Sequence, residues 1–359
     1  MAEHVAEYEW RGEGEEAEIL LYAPDDSAFE RILPAARLPG VESPVYAAAS
    51  QRGFGWATAS RTHVAPDLLT APLRGLLLVA GTRSENLGVP PQELRDRLLR
   101  ELSGAGSRLP SLNESGVGRL CEWGAQAVAE DGLVEEEDLP LLDVSPGDAD
   151  ALGRRALAAG PREWEGGVEP DLRLVTEILD TEGAQSLGLE EGALALVVRV
   201  DAGDLGRLAL AAHKERILSR AHSGDFGAEP GLPAAPTGSG EAEDLVVALH
   251  AAANFADARA ARALWMLRRV LGDAAGGLDI RAAWREGGIE EQDGRLVHRS
   301  GLARAEDGHA LVCGSYTAAG TGNMWASAPP FGIPEEEGRW PWEEAGLLER
   351  RATLDPAEG

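Results

Sequence analysis

Between Glu243 and Leu271 the sequence places apolar side chains at helical spacing without a break: Leu245, Leu249, Ala252, Phe255, Ala256, Leu264, Leu267 and Leu271 fall near one face. A helix of that length is held by what its apolar stripe packs against more than by propensity. The chain offers suitable partners. Ile19–Tyr22, Leu73–Ala80, Pro170–Leu179 and Ala193–Val200 are compact apolar or alternating runs that predict strands, most of them buried. Pro90–Leu102 and Gly118–Ala129 predict amphipathic helices, and Asp148–Ala159 a further helix entry. Strands alternating with helices imply a mixed α/β fold in layers around one core. With 359 residues at 44% apolar composition, a single large domain is within reach.

The rest of the composition limits what such a domain does. A net charge of −28 opposes binding to a phosphate backbone, where affinity comes from Lys and Arg displacing counterions. Lys214 is the single lysine, and the acidic surplus reads as a solvated surface. Cys121 and Cys313 are far apart and in no metal-ligand spacing, so no disulfide framework is expected, and a reducing, cytoplasmic setting is. The opening residues lack the pattern of a secretory signal, and no apolar run approaches the ~20 residues that span a bilayer, so no membrane partner is expected. Residues 223–242 are rich in Gly, Pro, Ser and Ala, and predict a flexible loop inside the domain.

Two runs carry a more specific signal. The long helix contains Ala251-Ala-Ala-Asn-Phe-Ala-Asp-Ala258, and downstream lies Leu296-Val-His-Arg-Ser-Gly-Leu-Ala-Arg-Ala305. In order and spacing they resemble two signatures of the RtcB family of RNA ligases, an Ala-Ala-Asn-(Phe/Tyr)-Ala run followed by Val-His-Arg-Lys-Gly-Ala-Thr-Arg-Ala. Ser300 stands in place of the family's lysine. Weaker likenesses, in the same order, extend from about residue 33 to about 332. The resemblance implies an RtcB-like domain over 1–334, with layered mixed sheets and surrounding helices, followed by an acidic tail over 335–359 that contains Trp340 and Trp342.

Active members of that family use manganese and GTP to join an RNA 3′-phosphate or 2′,3′-cyclic phosphate to a 5′-hydroxyl through a histidine–GMP intermediate. Aligned on the family's motifs, this chain offers Ala71, Arg74, Leu174, Val200 and Arg281 where metal ligands are expected, and Pro329 where the guanylylated histidine is expected. A guanidinium has no lone pair for a cation, and proline cannot form a phosphoramidate. The resemblance therefore implies a homologue without the cofactors manganese and GTP, and with no catalytic or metal-binding residue assigned.

What remains are ligand-binding candidates: Asn254, which in the family reading lines a guanine-nucleotide pocket, then His298 and Arg299, and the Gly314-Ser315 turn, whose backbone N–H groups could cradle an anion. His298 has no carboxylate spaced to orient it and reads as structural before catalytic. The expected function is a non-catalytic scaffold that binds a protein partner, an authentic ligase among the candidates, or a nucleotide or RNA end. Net charge favours the protein. The alternative is a divergent ligase still active with GTP and manganese through ligands that this alignment misplaces.

Overall fold

The computed structural model describes residues 4–11, 16–23, 29–50, 53–90, 113–142, 144–159, 168–175, 188–224, 232–292 and 294–303, with single residues at 93, 94, 96, 97, 100, 185 and 226. The strands among them are β1 (His4–Arg11), β2 (Glu16–Ala23), β3 (Val41–Ser50), β4 (Gly53–Ser60), β5 (His63–Val64), β6 (Leu73–Arg83), β7 (Val168–Leu174), β8 (Ala193–Asp201), β9 (Ala235–Pro236), β10 (Leu278–Gln292) and β11 (Arg295–Ala303). The helices are α1 (Phe29–Ala36), α2 (Glu114–Ala129), α3 (Ala149–Leu152), α4 (Arg154–Ala159), α5 (Gly203–His222) and α6 (Gly240–Ala275). Nine of the strands form one sheet in the order β1-β2-β3-β4-β11-β10-β6-β8-β7, while β5 and β9 pair separately. Only β2 and β3, on either side of α1 in the chain, run parallel. The mixed α/β class is as expected, in one domain, and the expected layered sheets are mainly this one sheet.

Burial on both faces explains why β6 and β8 are largely continuous apolar runs. Leu76 and Leu78 of β6 stand opposite Val198 and Leu196 of β8, and all four join Ala252, Phe255 and Ala256 of α6 in one core. On the other face Leu77 opposes Val197, and each is only 1% exposed. A strand buried on both faces has no polar side to alternate with. Gly75 opposes Trp284 of β10 on that second face. A Cβ on Gly75 would stand 2.0 Å from Trp284 Cε2, so the bare backbone makes room for the indole. The indole N–H donates to Glu286 Oε1 at 2.9 Å, and Glu286 also takes Arg199.

α6 is 36 residues long, and it exceeds the expected Glu243–Leu271 at both ends. It packs against α2, α3 and α5 and on β6, β8 and β10. A second core joins β2 and β3 to α1. A third lies where the start of α6 meets Val64, Ile217 and Ile289.

Three features differ from expectation. α5, of 20 residues, was not anticipated; its buried side chains Leu205, Ala209, His213 and Ile217 form a narrow stripe at every fourth residue, and one of them is a histidine. β1 and the β3–β4 pair were missed as well. Within the expected flexible loop, Leu232, Ala234 and Ala235 are buried, and β9 pairs with β5 through His63↔Pro236 and Val64↔Ala235. The small side chains that look like a linker in sequence let this segment enter a narrow space. The tail from 335, Gly314, Ser315 and Pro329 lie outside the described residues.

Candidate site at the junction of the long helix and the sheet

Asn254 sits in a stretch of α6 where Ala251, Ala252, Ala253, Ala256 and Ala258 are all buried. Alanines let neighbouring backbones come close. A Cβ on Gly147 would lie 2.5 Å from the Ala251 nitrogen, which shows how tightly the segment before α3 presses on the helix. The Asn254 amide is spent on that contact. Its Nδ2 donates to Cys121 O at 2.8 Å and Ser145 O at 2.8 Å, with a longer bond to Glu122 O at 3.4 Å, and its Oδ1 accepts from Ser145 N at 2.9 Å. Asn254 therefore serves α2 and the Ser145 segment at 0% exposure.

One turn further along α6, Asp257 is also fully buried. Arg74 Nε of β6 donates to its Oδ1 at 2.5 Å, and Arg285 of β10 donates to its Oδ2. Arg285 also donates to Ser145 Oγ at 2.6 Å. The result is a cross-link between helix, sheet and loop. Arg259, 2% exposed, donates to Asp201 O at 2.8 Å and Oδ1 at 3.0 Å. Asp201 Oδ1 accepts from Gly203 N at 2.7 Å, so this pair fastens α6 to the start of α5.

The second motif lies in β11. His298 opposes Thr58 of β4 and Ile289 of β10, and is 0% exposed. Its Nε2 accepts from the Ala65 N–H at 3.2 Å, which requires the ring to be unprotonated at that nitrogen. Burial pushes its pKa down to about 4, only partly offset by the Leu296 and Thr58 backbone. Arg299 is 9% exposed and donates to Glu290 Oε2 at 3.3 Å. Ser300 is buried opposite Trp56. Thus Asn254 and His298 are committed to different neighbours.

At the positions aligned with the ligases' metal ligands, Arg74 holds Asp257, Val200 belongs to the main core, and Arg281 is exposed with its guanidinium 3.2 Å from Asp279. Ala71 is half-buried, and Leu174 ends β7. Among the described residues no three His, Cys, Asp or Glu side chains gather as a metal site would require. Cys121 is buried, and desolvation raises its thiol pKa well above the ordinary value, so the thiolate is disfavoured. No described helix is long and apolar enough to cross a membrane.

Sequence reasoning missed Asp257, Arg285, Ser145, Arg199 and Glu286. The legible signal was Asp257, a carboxylate three residues after Asn254 in an otherwise apolar stretch of helix, because a buried charge demands a partner. Its partners come from positions 183 and 28 residues away, which no local pattern encodes. In comparisons with known proteins, no protein-family model matches the chain, and neither does any curated protein.

Proposed function

We propose that this chain is a non-catalytic binding scaffold, RtcB-like in its two motifs, that engages a protein partner or a nucleotide or RNA end. The observation that carries this reading is the Arg74–Asp257–Arg285 cross-link. At the position aligned with the ligases' manganese-bridging cysteine, a fixed cation is engaged by a buried carboxylate. A second cation from β10 holds the same carboxylate. An arrangement of this kind binds helix to sheet and leaves no lone pair for a metal at Arg74.

The spending of Asn254 on backbone groups supports the same reading. A polar side chain with its hydrogen bonds filled by α2 and the Ser145 segment serves the architecture, and ligand contact falls to surfaces outside this junction. The net charge of −28 weights the reading towards a protein partner over a nucleic acid.

The test is intact mass after incubation of the full chain with GTP and manganese, with metal content measured on the same sample. The expected outcome is an unchanged mass and no retained manganese. A gain equal to one GMP would overturn the reading and restore the active-ligase alternative.

A further inference from the structure

One surface of α6 is not engaged by the junction. Arg262, Trp265 and Arg269 are spaced three and four residues apart, so their side chains share one side of the helix. Both guanidiniums lie over the same indole, with Arg262 Cζ 4.8 Å and Arg269 Cζ 4.6 Å from the ring centroid. Trp265 and Arg262 are half-buried, and Arg269 is exposed. Arg268, one position away, turns to Asp138 with Nη2 2.9 Å from Oδ1. Among the described residues Arg262 and Arg269 have no carboxylate partner, although acids outnumber Lys and Arg by 61 to 33 over the whole chain. Arg262 Nε is buried without a hydrogen-bond partner. Burial, and then the Arg269 charge, lower the pKa of Arg262. Two cations are thus held near each other with nothing described to neutralise them.

We propose that the Arg262–Trp265–Arg269 stack is a binding site for the phosphate group of a small phosphomonoester. A guanidinium attracted to a ring through its charge spends no N–H on a carboxylate there, so the two side chains keep N–H donors for an acceptor. A phosphate dianion answers two positive charges and has oxygens for two planar forks, whereas a carboxylate has one charge and matches a single fork. Small size follows from the rest of the molecule. A long polyanion brings many charges towards a chain of net charge −28, while a monoester brings one group. The indole edge gives the organic part of the ester an apolar contact. This inference does not rest on the scaffold reading, because none of the three residues belongs to a motif candidate.

The test is calorimetric titration of the full chain, at low salt, with inorganic phosphate, with adenosine monophosphate and with a 5′-phosphorylated single-stranded oligonucleotide. Both small probes are expected to bind. Arg269→Gln changes an exposed side chain and is expected to weaken both by at least about tenfold. Arg262→Lys keeps the charge but loses the planar fork, and is expected to weaken them by about fivefold or more. Arg216→Gln on α5, which removes an exposed cation paired with Asp244, serves as the control and is expected to leave affinity unchanged. No binding of either small probe, equal binding by wild type and Arg269→Gln, or binding of the oligonucleotide alone would each overturn the proposal. Far-ultraviolet circular dichroism on every variant verifies that a lost signal reflects the site and not the fold.

Discussion

A buried histidine sets a stability threshold in this protein. His298 receives the Ala65 N–H on Nε2, so a proton on that nitrogen removes a hydrogen bond as well as placing a charge in the core. With its folded pKa depressed to about 4, the native ring stays neutral where an unfolded histidine, at about 6.5, already takes a proton. The sign follows: stability is full above pH ~6.5 and falls as pH drops from there towards ~4, because the unfolded state binds the proton first. His213 and His250 are also lowered, first by burial, and add in the same direction. Urea unfolding at a series of pH values between 7.5 and 4, chosen as about half-unit steps, should lose on the order of 3 kcal/mol from His298 alone. His298→Gln should make the profile shallower, and an unchanged slope would show that the ring does not carry it.

Between elements, the polar residues in and beside the first motif act as joints. Asn254 joins α6 to α2 and the Ser145 segment, Asp257 joins it to β6 and β10, and Arg259 joins it to the start of α5. These are three neighbouring positions on one helix, each facing a different element. Removing the acid leaves two cations, Arg74 buried and Arg285 partly exposed, without their shared carboxylate, so Asp257→Asn is expected to cost about 3–5 kcal/mol in urea unfolding. Arg74→Met should cost less, because Arg285 still holds the carboxylate and the apolar stem of methionine fills part of the space. The reverse order would mean that Arg74 has a role beyond pairing with Asp257. The helical period of α6 was legible because its stripe is wide and apolar. That of α5 was not, because its buried face is one residue wide and includes His213, whose Nε2 lies 2.9 Å from Ala151 O.

Over the whole molecule, the charge of −28 acts on a fold in which described helices pack on part of one large sheet. Self-repulsion among exposed carboxylates opposes the compact state, and salt screens it as the Debye length shrinks from ~10 Å at 0.1 M to ~3 Å at 1 M. Thermal unfolding is therefore expected to shift upward by at least ~3 °C between those salt concentrations. A downward shift would mean that screened ion pairs such as Arg216–Asp244 and Arg83–Glu190 outweigh the repulsion.

Elements whose patterns are local were readable from the sequence. The period of α6, the doubly buried character of β6 and β8 and the helix at α2 follow from side chains within a few residues of one another, because helical and strand burial repeat at short, fixed intervals. The acidic balance was equally plain. Which polar residues are spent inside depended on how the folded chain brings distant segments together. Asn254 and His298 have the same residue types whether they face a ligand or the core, and their partners at Cys121, Ser145 and Ala65 are brought to them by chain crossings that a linear pattern does not carry. The same holds for residues 232–236: their small side chains suggest a linker, and the space between β5 and α6 makes them part of the packed interior. Burial of a polar group is settled by what closes over it, and that closure is a property of the whole fold.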